Sequence, residues 1–437
     1  MNSWIKDLGR SGVSDAHDRA RAKATEALLE IGPDAVPALV KACFWKENSL
    51  DKSLDWLDSN APAFLDGILP ERPDRSSIRQ YSMETLIALG PDAKQAIPKF
   101  QEAYLAPKKD VTEEFETFQW KDAILAAAGK EDPASRSFFI NSLSAPDGEV
   151  VFCAMAALGE IGPTASAAVP RLIELLGVEN ERIQWRAAKT LGQIGLASSN
   201  AVPTLRKLML DEGAYLDARI SAASSIWRIT GETNQTLPVL TAALSGGGLW
   251  ADVQAAVALG EMGRSAELAL PALLEELGSS KRRNTEELFK VRVAEAIWRI
   301  DSKADVVLPT LVQEMHSRVQ GEVFEALGTL GAAARPAIPE LLIALQGEDY
   351  KARKSAADAL GVIGSDAKEA VPTLIRALGD EFISVRLSAA EALTRIDPQN
   401  GQLSPTLNAW LKTGGIHTRR RAAELLTRID LSQHLKR

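Results

Sequence analysis

Residues 158–170 read LGEIGPTASAAVP, residues 191–203 read LGQIGLASSNAVP and residues 360–372 read LGVIGSDAKEAVP. Related forms stand at 259–271 (LGEMGRSAELALP) and 327–339 (LGTLGAAARPAIP), and LIALGPDAKQAIP ends at Pro98. In each of the six, the last glycine and the proline are eight residues apart; Thr230 and Pro238, Asp301 and Pro309, and Asp397 and Pro405 keep that spacing with the glycine replaced. Successive prolines at 170, 203, 238, 271, 309, 339, 372 and 405 are separated by 33, 35, 33, 38, 30, 33 and 33 residues. A period in this range is the signature of a helical solenoid, in which each repeat stacks on its neighbours.

The chemistry of the phrase predicts where helices begin and end. Proline fits the first turn of a helix, where its missing amide would have no partner, and glycine just past a helix end accepts a backbone conformation closed to other residues. Each unit therefore reads as a first helix from the proline, a short turn, a second helix ending at the glycine, and a linker of about seven residues. The first helix is amphipathic, as in Pro170-Arg-Leu-Ile-Glu-Leu-Leu and Pro372-Thr-Leu-Ile-Arg-Ala-Leu. The second is alanine-rich on its packed side, as in Arg386-Leu-Ser-Ala-Ala-Glu-Ala-Leu. The expected fold is an all-α, right-handed α-solenoid of about twelve helical pairs.

These residues resemble the HEAT-repeat superfamily, and most closely its bacterial variety of phycobilin-lyase HEAT-like repeats. The pattern of that variety, Pro-x-Leu on the first helix and Val-Arg-x-x-Ala-Ala-x-Ala-Leu-Gly-x-Ile-Gly on the second, is matched from Val385-Arg386 to Ile396 and from Ile78-Arg79 to Leu89. The resemblance places the family arginine on Arg21, Arg79, Arg219, Lys290, Arg353, Arg386 and Arg419. It implies that this residue pairs with an acid in the turn of a neighbouring unit, for which Asp380 is placed. A bilin-lyase-like or other small-molecule enzyme is the alternative function that the resemblance suggests.

Length alone, 437 residues, suggests two or three globular domains. The repeat replaces that reading with a single solenoid over 1–437, interrupted by an insertion at 41–77, a degenerate stretch at 100–150, and regular repeats over 151–437. Residues 41–140 hold twelve of the twenty-four aromatic residues, among them Trp45, Trp56, Phe100, Tyr104 and Trp120. They are read either as an exposed patch for a partner, with Trp45 and Trp56 as contacts, or as the small core that an insertion needs.

A net charge of −8 and a pI near 5.4 argue against a protein that binds nucleic acid through phosphate contacts. Lys281, Arg282 and Arg283 form a compact basic cluster in a loop. Two cysteines, Cys43 and Cys153, and four histidines leave little for a metal site, and no histidine is followed by glutamate. No cofactor is expected, and no membrane span or signal peptide is read from the sequence; a monomer is expected, cytoplasmic or, if a signal has been removed, exported. No nucleophile elbow, phosphate loop or zinc-protease motif is present.

Function is therefore sought on the faces of the stack. Four residues before the variable position of the Leu-Gly-x-Ile-Gly phrase stand Glu295, Glu325, Asp358, Glu391 and Glu424, in five successive units. This acidic stripe is expected to project to the concave side and to dock a protein or peptide partner, a basic one. Arg299, Arg395 and Arg428 each follow an acid by four residues, so the same side chains also read as helix-stabilising pairs worth about 0.2–0.5 kcal/mol each.

Overall fold

The computed structural model describes residues 15–44, 75–106, 111–245, 249–279 and 286–434. Trp45, Trp56, most of the 41–77 insertion and the basic residues at 281–283 lie outside them. The described residues are helical, without a strand among them: α1 (Asp15–Ile31), α2 (Val36–Cys43), α3 (Arg75–Leu89), α4 (Ile97–Leu105), α5 (Val111–Ala128), α6 (Pro133–Ser142), α7 (Gly148–Ile161), α8 (Val169–Leu175), α9 (Glu181–Ile194), α10 (Val202–Leu210), α11 (Leu216–Thr230), α12 (Thr236–Ala243), α13 (Leu249–Met262), α14 (Leu270–Gly278), α15 (Glu286–Asp301), α16 (Ala304–Gln313), α17 (Gln320–Leu330), α18 (Ile338–Leu345), α19 (Tyr350–Ile363), α20 (Val371–Ala377), α21 (Ile383–Ile396), α22 (Leu403–Thr413) and α23 (Ile416–His434). The chain divides into two compact units, 1–135 with 410–420 and 136–409 with 421–437.

In the second unit, helices alternate as the prolines predict, and second helix packs on second helix along the row α7, α9, α11, α13, α15, α17, α19, α21. The first glycine of the repeated phrase makes that packing possible. A Cβ on Gly192 would lie 2.8 Å from the Cα of Ser225, and one on Gly361 would lie 2.9 Å from the Cα of Ala392. The helices touch there through backbone and small side chains. The second glycine ends the helix with a positive φ, 75° at Gly162 and Gly195 and 74° at Gly364. The accompanying ψ near −140° takes it outside the left-handed helical region into one that only glycine enters readily.

The expected linker is itself ordered as a 3₁₀ helix of seven residues, Gly162–Ala168, Gly195–Ala201, Gly263–Ala269, Gly331–Ala337 and Gly364–Ala370. With three residues per turn, its fourth and seventh positions lie on one side. Those positions are Ala165 and Ala168, Ser198 and Ala201, Ala367 and Ala370, all buried. Where the glycine is replaced, this segment gives way to an earlier helix start: α16 begins at Ala304 and carries Pro309 within it. Turns between first and second helices are capped by Asp147, Asn180 and Asp349, whose side chains accept from backbone amides of the following helix.

The arginine of the repeat joins units at Arg353 as implied, and at Arg219 it ties the two helices of its own unit. Arg353 donates to both carboxylate oxygens of Asp380, at 2.8 and 3.1 Å, and to the carbonyls of Gly347 and Glu348. Arg219 donates to the Met209 carbonyl at the end of the preceding helix. Trp298 is inter-repeat packing too, its indole N–H donating to the Thr329 carbonyl.

In the first unit, three of the aromatics make a core. Phe100, Tyr104 and Trp120 are buried, and Trp120 stacks on Phe44 at 5.2 Å and packs on Phe100 at 5.6 Å between centroids. Residues 148–175 are long and apolar enough to cross a membrane, but they form two helices joined by a 3₁₀ segment and most of their side chains are buried in the fold.

Candidate functional site

The outward stripe of the second helices is a property of helical spacing: Lys189, Gln193, Ser224, Arg228, Val257 and Glu261 fall on positions that the packed alanines and leucines leave free. At the position four before the variable one, the units of this row read Ala156, Lys189, Ser224, Val257, Glu295, Glu325, Asp358 and Glu391. The row thus changes from neutral or cationic to acidic at α15, a change that the five acids alone do not reveal.

The acidic end is strongly cross-linked. Glu295, with its side chain only 10% exposed, accepts from Arg292 at 2.9 Å and Arg299 at 2.5 Å. Glu391, 21% exposed, accepts from Arg395 at 3.0 Å, from Arg428 at 3.3 Å and from Arg421. Burial would raise the Glu391 pKa; the hydrogen bond and charge of Arg421, with Arg395 and Arg428, outweigh it and hold the carboxyl below its usual range. Arg428 turns to Glu391 of the preceding unit, and Glu424 takes Arg421 instead, at 2.7 Å. The expected Glu424–Arg428 pair does not form, because Glu391 draws the arginines of the next unit toward itself. Asp358 takes Lys354 at 2.8 Å, and both remain about half exposed. Glu325 is 68% exposed and meets Arg292 only at 3.7 Å.

At the other end, α7, α9, α11 and α13 carry a cation–aromatic cluster. The guanidinium of Arg186 lies 4.4 Å from the ring centroids of both Phe152 and Trp185, and those rings stack at 5.8 Å. Such contacts are worth about 0.5–2 kcal/mol each and hold the side chain extended. Arg182 covers the outer part of Phe152 at 4.7 Å and pairs with Glu149 at 3.1 Å. Trp185 is fixed by its indole N–H, which donates to Gln254 at 2.9 Å. The Nε of Arg186 is buried without a hydrogen-bond acceptor. Burial above all, with repulsion from Arg182, pushes the Arg186 pKa down to about 10.

Beside this cluster lies a cleft of about 170 Å³, whose lining includes Lys189 of α9, Ser224 and Arg228 of α11, and Val253, Val257 and Glu261 of α13. The Lys189 pKa is lowered, first by burial and then by repulsion from Arg186 and Arg228. Glu261 accepts from Arg228 at 2.5 Å across the unit boundary. None of Arg182, Arg186, Lys189 or Gln254 was singled out from the sequence, although Arg182, Arg186 and Lys189 recur at i, i+4 and i+7 on one helix face. Cys43 and Cys153 are buried, the latter with its Sγ 3.8 Å from Glu149. Among the described residues, no group of His, Cys, Asp and Glu side chains is arranged to hold a metal ion.

Residues 137–227 and 338–428 match the family described as HEAT repeats. These two stretches carry HEAT repeats, as the repeated phrase implied. No curated protein matches the sequence. Among solved structures, the karyopherin Kap121p bound to the extreme C-terminus of the protein phosphatase Cdc14p is 15% identical, with a TM-score of 0.53 over 95% of this chain. The match takes in 52% of Kap121p, so this chain spans about half the length of that protein. The complex of CpcE and CpcF of phycocyanin lyase from Nostoc sp. PCC7120 is 21% identical over 55% of this chain and 92% of that one, with a TM-score of 0.36. Human deoxyhypusine hydroxylase is 19% identical over 70% of this chain and 96% of that one, with a TM-score of 0.28.

Proposed function

We propose that this HEAT-repeat chain is a non-catalytic scaffold that binds a protein partner through an extended segment laid along the face of its second helices. The supporting observation is the exposure of Glu325, Asp358 and Glu424 on α17, α19 and α23, in register with Glu295 and Glu391, which are already held by arginines. A carboxylate that stacking does not need, repeated at the pitch of the units, suits successive cationic side chains of one peptide. Kap121p, whose fold this chain shares, binds a peptide end of another protein. The present chain is read in the same way, with a basic segment as its partner at the acidic end.

Selection from a random peptide library on the full chain tests this reading. Peptides enriched in Lys and Arg are expected, and Glu325→Lys with Asp358→Lys should abolish their recovery while helicity and the melting temperature stay close to the parent. Basic enrichment that survives the two reversals, or no basic enrichment on the parent chain, would overturn it.

A further inference from the structure

We infer that the cleft between α9, α11 and α13 is a second recognition site, for an acidic peptide segment, with Lys189 and Arg228 receiving its carboxylate and Val253 and Val257 its apolar neighbour. The inference rests on the scaffold reading and adds a partner chemistry opposite to that of the acidic end.

Two cations, Lys189 and Arg228, line the cleft with one carboxylate, Glu261, and Arg186 adds its charge from the neighbouring cluster. Arg228 has Glu261, but Lys189 is drawn into the cleft wall between Arg186 and Arg228 with no ion-pair partner, and Arg186 spends its contacts on two aromatic faces. Burying a charge is unfavourable unless it is paired, and placing like charges together adds to the penalty. A carboxylate entering the cleft would relieve both. Arg186 is held extended by Phe152 and Trp185, and Trp185 is in turn fixed by Gln254, so the positive field is set before any ligand arrives. Preorganisation of this kind lowers the entropic cost of binding.

The rest of the wall suits a peptide better than a free inorganic anion. Ser221 and Ser224 offer hydroxyl groups beside the cations, Val253 and Val257 form an apolar side, and Trp250, 66% exposed, stands two turns from Val257 on the same helix. Two further carboxylates, half-buried Asp217 and buried Asp252, lie in the first turns of α11 and α13, at the opposite end of those helices from Arg228 and Glu261. At the cationic end the cleft holds one carboxylate, Glu261, against Lys189 and Arg228, which leaves one positive charge in excess.

The same peptide library decides between outcomes. A second enriched class is expected, with Asp or Glu next to an aliphatic or aromatic residue. Lys189→Gln should weaken binding of a synthetic member of that class by about tenfold or more, and Lys189→Glu should abolish it. Glu325→Lys with Asp358→Lys should leave this class bound while removing the basic one, so failure of either site is seen separately. Absence of acidic enrichment would overturn the inference, as would acidic binding indifferent to Lys189→Gln and Lys189→Glu. Release of the acidic peptide by an equimolar amount of inorganic phosphate would reduce the cleft to a simple anion site and also overturn it. Because the Lys189 side chain makes no hydrogen bond within the fold, these variants are expected to remain folded.

Discussion

The two ends of the second-helix row differ in how their charges are satisfied. From α15 onward, the acids at the stripe position are answered by nearby cations, Glu295 by two arginines of its own helix and Asp358 by Lys354, and Glu391 alone gathers three arginines. On α9, Lys189 and Arg186 repel each other instead, Arg186 lying on the rings of Phe152 and Trp185 and Lys189 near that of Trp185. Identical stacking geometry therefore supports charges that serve the fold at one end and charges that weaken it at the other. A group kept at a cost to stability is where function is best sought.

The largest effect expected is one that both ends should share. Gly192→Ala and Gly361→Ala drive a methyl group into the backbone of the next second helix, and each should cost about 1–3 kcal/mol in urea unfolding. Gly328→Ala meets only Val362, at 3.9 Å, and should be neutral or stabilising by about 0.5–1 kcal/mol, because glycine in a helix is itself unfavourable. A large loss at Gly328, or none at Gly192, would break the account of the common scaffold.

The ends should then diverge. Glu391→Gln should destabilise the chain, since three arginines lose their carboxylate. As the Glu391 pKa is depressed in the folded state, its stabilisation is present above the ordinary carboxylate value of about 4.5 and is lost as pH falls through the lower folded value. The stability gap between parent and Glu391→Gln should accordingly be open at pH 7 and narrow as pH falls below the ordinary carboxylate range, by denaturant titration. Lys189→Met should do the reverse of a structural mutation and leave the melting temperature equal to or above that of the parent. The Lys189 pKa is lowered, so its charged form weakens the fold at pH 7, and the advantage of methionine should shrink as pH rises past the folded pKa. Smallest of all, Glu325→Gln should change stability by less than about 0.5 kcal/mol, as expected for an exposed and weakly paired side chain.

Much of this was legible in the sequence for a physical reason: a stack repeats its boundary conditions, so Pro170, Gly195 and Arg353 announce helix starts, stops and inter-unit bonds by recurrence. The ordered 3₁₀ segment was legible too, as alanines three apart in GPTASAA, but only once its period is taken as three. The acidic stripe was visible because its members sit at one position of the repeat. That Glu391 would recruit Arg421 and Arg428 was not, because partner choice depends on which side chains of adjacent units reach across. The cation–aromatic cluster escaped for a related reason: Phe152, Trp185 and Gln254 come from three different helices, and no single helix announces them.

The central claim is that the two ends of one face select opposite partners, and photo-cross-linking tests it most directly. A photoreactive residue would replace Val257 beside the cationic cleft or Val362 on α19, both exposed in the chain. With an acidic peptide from the library, the probe at position 257 should capture it and the probe at position 362 should not. With a basic peptide, the yields should reverse. Equal capture of both peptides at both positions, or acidic capture confined to position 362, would contradict the claim.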